Sequence, residues 1–149
     1  MLKPLKLSYI LKIGEKMKKY FAIMAALALL AGCAPKPEMQ NVSGQVTYLV
    51  RMALPPDANV IVRVEDVSRA DALAEVLAQT EFSNEGRQVP IDFEIAYDPS
   101  KVDASHRYAL TARIESADGQ LMFINDTLTP VITLGSPVKD IQMTLALAQ

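Results

Sequence analysis

Apolar and polar residues alternate in short runs along most of the chain after residue 41. The clearest run covers residues 89–97, where Asp92 and Glu94 stand between apolar positions. A period of two places alternate side chains on opposite faces of a β-strand. Stretches rich in Pro, Asn, Asp and Gly interrupt the runs at residues 54–59, 84–86 and 117–120, which predicts turns there. The chain is therefore constrained to fold as a series of short strands.

The runs amount to seven or eight strands between residues 42 and 148. This pattern predicts an all-β fold, an antiparallel β-sandwich. The chain has one cysteine, so no internal disulfide can form and the core must hold by packing. Residues 72–82 fit a helix by composition, but their alternation and their setting among strands favour a strand. Residues 131–134 are also predicted to form a short strand.

The N-terminal segment has a different character. Residues 17–33 read MKKYFAIMAALALLAGC, in which two lysines precede an apolar run of 11 residues, Phe21 to Ala31. A membrane-spanning helix needs roughly 20 apolar residues, and the shorter run is typical of a secretory signal peptide. We therefore expect residues 1–32 to be a helical signal peptide that is cleaved, with Met17 as the alternative start of translation.

The end of this segment, Leu30-Ala31-Gly32-Cys33, resembles the lipobox of bacterial lipoproteins at all four positions. The resemblance implies cleavage between Gly32 and Cys33, a diacylglyceryl group on the cysteine sulfur and an acyl group on the new amine. Ala34 follows where an Asp commonly retains such proteins in the inner membrane, which implies sorting to the outer membrane. The alternatives are a buried free cysteine or an ordinary secretory signal cut elsewhere.

Residues 33–41 contain two prolines and no apolar period, so we interpret them as a lipidated tether, followed by a β-sandwich domain at 42–149. Charge divides at the same place. Six lysines and one glutamate precede Cys33, whereas nine basic and sixteen acidic residues follow from it onward. Such an acidic body argues against nucleic-acid binding, because it would repel phosphates.

Three longer stretches together resemble the YbaY/YscW family of bacterial lipoproteins over roughly residues 42–145. They read GQVTYLVRMALPPDANVIVRVEDVSRADA, VPIDFEIAYD and YALTARIESADGQLMFIND. The most specific marks are Leu54-Pro55-Pro56, Asp66 with Ser68, Ala70-Asp71, Val89-Pro90-Ile91-x-Phe93, and Tyr108 with Asp118-Gly119. The resemblance implies a transthyretin-like or immunoglobulin-like sandwich. One branch of the family comprises pilotins of type III secretion, which help a secretin ring to localise or assemble; the chain looks closer to the other branch, the YbaY-like envelope lipoproteins.

Candidate catalytic residues are sparse. His106 is the only histidine, which rules out a zinc site built from imidazole and thiolate ligands, and we interpret it as a solvated residue at a strand edge. No serine lies in a Gly-x-Ser-x-Gly elbow. Asp92 and Glu94 share one strand face, where a solvated surface is favoured over a cation or glycosidase pair. Asp66 and Asp98 are expected to cap turns.

These observations predict a protein that is not an enzyme and has no metal, no cofactor beyond the covalent lipid on Cys33, and no small-molecule substrate. The first hypothesis is an outer-membrane lipoprotein whose domain faces the periplasm and binds another envelope component. The alternative is a secretin pilotin, which requires an exposed apolar strip for an amphipathic helix, with Leu49, Ile61, Val67 and Leu73 as candidates. A carbohydrate-active hydrolase is disfavoured, because the chain has no Trp for sugar stacking.

Overall fold

The computed structural model describes residues 38–149; the predicted signal peptide, Cys33 and the first part of the tether lie outside this range. The described part is all-β, with eight strands and one 3₁₀ turn at Pro99–Lys101. The strands are β1 (Gln40–Tyr48), β2 (Asn59–Asp66), β3 (Glu75–Ser83), β4 (Ile91–Tyr97), β5 (Tyr108–Glu115), β6 (Leu121–Ile124), β7 (Thr129–Val131) and β8 (Ile141–Leu147). The prediction of an all-β fold with seven or eight strands is confirmed.

The strands join in one sheet with the order β3-β2-β5-β6-β8-β1-β4, and β7 pairs with β5 off this path. The two end strands, β3 and β4, approach each other without pairing, so the sheet nearly closes into a barrel. The structure thus differs from the predicted sandwich of two separate sheets. The link between the two halves is the short pairing of Phe123 and Ile124 in β6 with Leu147 and Ala146 in β8.

One strand pair departs from the predicted antiparallel pattern. β1 and β8 run parallel, with Gly44 opposite Ile141 and Tyr48 opposite Leu145, while the other pairs are antiparallel. Gly44 is required at this pairing, because a Cβ on it would lie only 2.1 Å from the backbone oxygen of Ile141. The close approach of β8 to β1 at Ile141 therefore depends on the absence of a side chain at Gly44.

Alternate residues of β1, β2, β4, β5 and β8 enter a single apolar core, and β3 adds partly buried residues to its edge. In β4 the burial pattern alternates without a break, so that Ile91, Phe93, Ile95 and Tyr97 point inward. The largest fully buried side chain is Phe123, whose ring stacks on that of Tyr48 with 4.0 Å between centroids. No helix among residues 38–149 is long and apolar enough to cross a bilayer.

Local predictions met different outcomes. The ambiguous segment 72–82 is a strand as predicted, although β3 begins only at Glu75. The predicted strand at 131–134 is wrong beyond Val131, because Ile132 and Leu134 take left-handed backbone angles, φ 70° and 57°, which a strand cannot contain. β1 begins at Gln40, so residues 40 and 41, which the sequence analysis assigned to the tether, are part of this strand.

Candidate functional site

The strand directions give the domain two ends. β1 begins at Gln40 beside the last residue of β4, Tyr97, and we call this the tether end, because the chain enters the domain there. β2, β4 and β7 finish at this end, while β3 and β5 start from it. β1, β3, β5 and β8 finish at the opposite, far end, where β6 starts beside the end of β5.

The far end carries a set of apolar side chains that the domain does not bury. They lie at the adjacent ends of β1, β8 and β6, and each is at least 39% exposed. We call this set the apolar surface: it consists of Leu49, Val50, Met52, Leu121 and Leu147. The residue after β8 is hydrogen-bonded to β6 here: Ala148 N–H donates to the carbonyl of Met122 at 2.9 Å. Exposed apolar residues gathered at one end of a domain are typical of surfaces that bind a partner.

Side-chain hydrogen bonds hold the loop after β1, which carries Leu49, Val50 and Met52 of the apolar surface. The hydroxyl of Tyr48 donates to the carbonyl of Met52 at 2.7 Å. Next along the chain, the side chain of Gln88 accepts from Leu54 N–H at 2.8 Å and donates to the Leu54 carbonyl at 3.2 Å. Leu49 is nevertheless 84% exposed. Hydrogen bonds therefore set the course of this loop and leave its apolar side chain to solvent.

Asn84 is the buried polar residue of the far end, with 0% exposure. Its amide nitrogen donates to the carbonyls of Pro55 at 2.8 Å and Arg87 at 3.0 Å. Two acceptors at this position require the nitrogen there, which leaves the amide oxygen without a hydrogen-bond partner. Asn84 thus joins the loop after β1 to the loop after β3, a role that the Asn-Glu-Gly turn signal did not predict.

The tether end is held by carboxylates. Asp66, the last residue of β2, accepts from Ser68 N–H at 2.9 Å and from His106 Nδ1 at 2.6 Å. Partial burial alone would raise the pKa of Asp66, but the hydrogen bonds from Ser68 and His106 outweigh it and hold that pKa below its ordinary value. The predicted role of Asp66 as a turn cap is confirmed.

The interpretation of His106 as a solvated residue at a strand edge is wrong in one respect. Its side chain is partly exposed, yet it is fixed between the carboxylates of Asp66 and Asp103, with its Nε2 3.8 Å from Asp103 Oδ2. Its backbone carbonyl also accepts from the Thr133 hydroxyl at 2.7 Å. His106 therefore ties β2, the turn before β5 and the segment after β7 together, through contacts far apart in sequence.

Two smaller turns at the tether end repeat the use of carboxylates. Asp98 accepts from Ser100 N–H at 2.9 Å and caps the 3₁₀ turn, as the sequence predicted. Asp103 accepts from Ser105 N–H at 2.8 Å. Hydrogen bonds from the serine hydroxyls and backbone lower the pKa of both carboxyl groups. These carboxylates stabilise local turns, and Asp66 and Asp103 also line a cavity of about 350 Å³ together with His106.

Asp92 and Glu94 project from the outer face of β4, as predicted. Each is hydrogen-bonded across to β1: Gln45 Nε2 donates to Asp92 at 2.7 Å, and Asn41 Nδ2 donates to Glu94 at 2.5 Å. They line an open groove of about 830 Å³. Within residues 38–149 no group of three His, Cys, Asp or Glu side chains is arranged to hold a metal ion.

The apolar strip proposed from the sequence does not form one surface. Ile61 is only 4% exposed and Val67 is half-buried, whereas Leu49 and Leu73 are exposed at opposite ends of the domain. Ile61 is covered although it faces outward, because its cross-strand neighbours Glu81 and Arg113 have long aliphatic stems. Of the four predicted residues, only Leu49 belongs to the apolar surface. The sequence did not predict the other members of that surface, because they lie in a loop and at strand ends, where apolar residues do not alternate regularly.

Comparison with known proteins gives three findings. A family described as the type III secretion system lipoprotein chaperone YscW matches residues 37–143. The uncharacterized lipoprotein YbaY of Escherichia coli strain K12 is 40% identical over 109 residues, which cover 73% of this chain and 57% of that protein. The chain therefore spans little more than half the length of this curated relative.

The third finding is a solved structure. An alternative pilotin from the type II secretion system of Vibrio cholerae is 46% identical and superposes with a TM-score of 0.71. The match covers 75% of this chain and 99% of the pilotin chain. The similarity therefore extends over the whole of that pilotin chain.

Proposed function

Because this chain belongs to the YscW family of type III secretion system lipoprotein chaperones, we propose that it is a non-enzymatic lipoprotein that binds another envelope component. In this proposal cleavage occurs between Gly32 and Cys33, and Cys33 carries the diacylglyceryl and N-acyl groups. Ala34 supports sorting to the outer membrane, with the domain on the periplasmic side. Each buried methylene contributes about 0.8 kcal/mol, so that several acyl chains anchor the protein permanently.

The observation that carries the binding proposal is the apolar surface at the far end. Leu49, Leu121, Leu147 and their neighbours are exposed together at the end opposite to the tether. Their position is open to other proteins of the periplasm, because the anchor leaves from the other end. A partner segment with apolar side chains would remove this surface from water, at about 25 cal/mol for each Å² buried.

The second candidate function is that of a secretin pilotin. Two findings favour it: the family's description as a secretion lipoprotein chaperone, and the 46% identity to a pilotin of known structure. In this form of the proposal the partner is a secretin subunit, and its bound segment is an amphipathic helix with apolar residues on one face. Such a helix would lie on the apolar surface, as helices do in other apolar recognition sites.

In-cell crosslinking of the lipidated protein, followed by mass spectrometry of the captured proteins, tests both forms. Capture of a secretin subunit by the wild type, and its loss in Cys33→Ser, would support the pilotin. Capture of another envelope protein through the far end would support the general form. Recovery of abundant porins and lipoproteins alone, unchanged when Leu49 and Leu147 are replaced by Ser, would contradict both.

The anchor is tested separately by the mass of the mature protein. We expect a chain that begins at Cys33 and carries the mass of a diacylglyceryl and an acyl group, and that fractionates with the outer membrane. Cys33→Ser should remain unprocessed or without lipid. A mature chain that begins elsewhere, with an unmodified cysteine, would contradict the proposed attachment site while leaving the binding proposal to its own test.

A further inference from the structure

We propose that the tether end of the domain rests on the lipid surface and that Leu134 enters the boundary between head groups and acyl chains. This inference rests on the proposed lipid attachment at Cys33. It assigns an orientation to the domain: the tether end meets the bilayer and the apolar surface points away from it. Three observations support it.

The first observation is the length of chain between the anchor and the fold. Six residues separate Cys33 from Gln40, the first residue of β1. A fully extended chain spans at most about 3.6 Å per residue, so the tether end stays within about 25 Å of an acyl group on Cys33. The anchor thus holds the tether end nearer to the bilayer than the far end, and within reach of the lipid surface.

The second observation is the position of Leu134. This side chain is 71% exposed. It lines the same cavity of about 360 Å³ as Gln40 and Tyr97, the two residues that mark where the chain enters the domain. Other parts of the cavity wall are apolar as well, including Val102 and Ile132. An exposed leucine beside the entry of the tether therefore lies at the edge of a partly apolar depression.

The third observation is the backbone that presents Leu134. Ile132 and Leu134 both adopt left-handed angles, φ 70° and 57°, which side chains with a Cβ rarely take. The segment is fixed in this form by Thr133, whose N–H donates to Val131 at 2.8 Å and whose hydroxyl donates to the His106 carbonyl. Ile132 packs against the core, whereas Leu134 is held in water by the turn that Ser136 N–H closes on the Thr133 carbonyl at 3.0 Å. Backbone strain of this kind clusters at functional sites.

Charges at this end favour apolar insertion over attraction to anionic lipid. Asp98 and Asp103 flank Lys101, so that acidic residues outnumber the basic one and no basic patch forms around it. Leucine is a residue that inserts into the boundary region of a bilayer, where its apolar side chain leaves water. The contact should therefore form on a zwitterionic membrane, which provides a direct probe.

The chain has no tryptophan, so a single introduced Trp is a unique fluorophore. We would place it by Leu134→Trp and, as the matched control, by Leu49→Trp at the far end. The full-length lipidated proteins are reconstituted in phosphatidylcholine vesicles with and without bromine on the acyl chains. Bromine quenches only nearby rings, so we expect at least about twofold quenching at position 134 and almost none at position 49, as for a residue buried in the boundary region.

Thermal unfolding first establishes that both variants fold. If Leu134→Trp does not, Leu134→Cys and Leu49→Cys with a polarity-sensitive dye replace the pair, since the native cysteine is acylated. Lipidated protein that floats with the vesicles but shows equal or no quenching at the two positions would overturn this inference alone. Protein that does not float with the vesicles would overturn it together with the proposed anchor.

Discussion

The tether end and the far end of the domain are held together by different chemistry. At the tether end, the carboxylates of Asp66, Asp98 and Asp103 accept hydrogen bonds from serines and from His106. At the far end, the neutral amides of Asn84 and Gln88 hold the loops. Both ends carry exposed apolar residues: the apolar surface lies at the far end, and Leu73 and Leu134, the latter on a strained turn, lie at the tether end.

At the far end, the residues that stabilise the fold differ from the residues that we propose bind a partner. Asn84 is buried and its hydrogen bonds fasten two loops, while the neighbouring apolar surface is exposed and packs against little. Residues of the apolar surface are therefore free to vary without loss of the fold. The carboxylates that hold the tether end titrate, so this end should weaken in acid. At the far end the same holds for Asp118, because a hydrogen bond from Ser116 lowers its pKa, but the amides of Asn84 and Gln88 do not titrate.

The largest loss of stability is expected for a substitution at Gly44, which lies in the middle of the domain between the tether end and the far end. Because a Cβ there would overlap the Ile141 carbonyl, Gly44→Ala must push β1 away from β8 and disturb both ends together. We expect a loss of about 3 kcal/mol or more in the free energy of unfolding, measured in urea. Gly119→Ala is the control: its Cβ would meet open space but its φ is 84°, so about 1 kcal/mol is expected. Equal losses in the two variants would contradict the close approach of β8.

The next effect is at Asn84. Asn84→Ala removes two hydrogen bonds at a buried site and leaves the Arg87 carbonyl without this donor, while the Pro55 carbonyl keeps only the Ala58 N–H; the loss should be about 3 kcal/mol at any pH. The control is Asn59→Ala, which loses one exposed hydrogen bond to Glu81 and should change stability by about 0.5 kcal/mol or less. If the loss of stability in Asn84→Ala depended on pH, the contrast between neutral amides at the far end and titrating carboxylates at the tether end would be wrong.

A smaller effect is expected at the tether end. Both side chains of the Asp66–His106 pair are partly exposed, so His106→Ala should cost about 1 kcal/mol at neutral pH. The pKa of Asp66 is lower in the folded protein than in the unfolded chain. The unfolded state therefore binds more protons in acid, and the contribution of Asp66 is complete above about pH 3.9. It is lost as the pH falls through the folded pKa.

Urea unfolding of wild type and Asp66→Asn across the acid range tests this sign. The variant should be less stable near neutral pH and should approach the wild type as the pH falls. A difference that grows on acidification would contradict the assignment. Asn84→Ala serves as the reference, since its amide does not titrate and its deficit should stay constant.

The smallest effect on stability is expected at the apolar surface. Leu49→Ser should change the free energy of unfolding by about 0.5 kcal/mol or less, because the side chain is already in water. Leu128→Ser, at another exposed leucine between β6 and β7, should do the same. A large loss for Leu49→Ser alone would show that the residue supports the fold, and the apolar surface would then need redefinition.

Local features of this fold were predictable from the sequence because local physics determines them. Alternation identified the strands, and the Asx caps at Asp66 and Asp98 follow from a carboxylate two residues before a serine. The Asp118-Gly119 hairpin is confirmed, with Gly119 at φ 84° and its N–H donating to Ser116 at 2.8 Å. Each of these requires only residues that are neighbours in the chain.

Long-range features were not predictable. The His106–Asp66 contact joins residues 40 positions apart, and the parallel pairing of β1 with β8 joins the two ends of the domain sequence. Period two identifies which face of a strand points inward but not which strand lies beside it. The apolar surface was largely missed for the same reason: its members become neighbours only after β1, β6 and β8 are placed side by side.

The most direct test of the central claim compares the two exposed leucines in living cells. A photoactivatable crosslinking residue replaces Leu49 in one strain and Leu134 in the other, in the full lipidated protein. We expect position 49 to capture a defined envelope protein, and position 134 to capture lipid but no protein. Capture of the same protein from position 134, with none from position 49, would show that the tether end is the binding site and that the apolar surface is not.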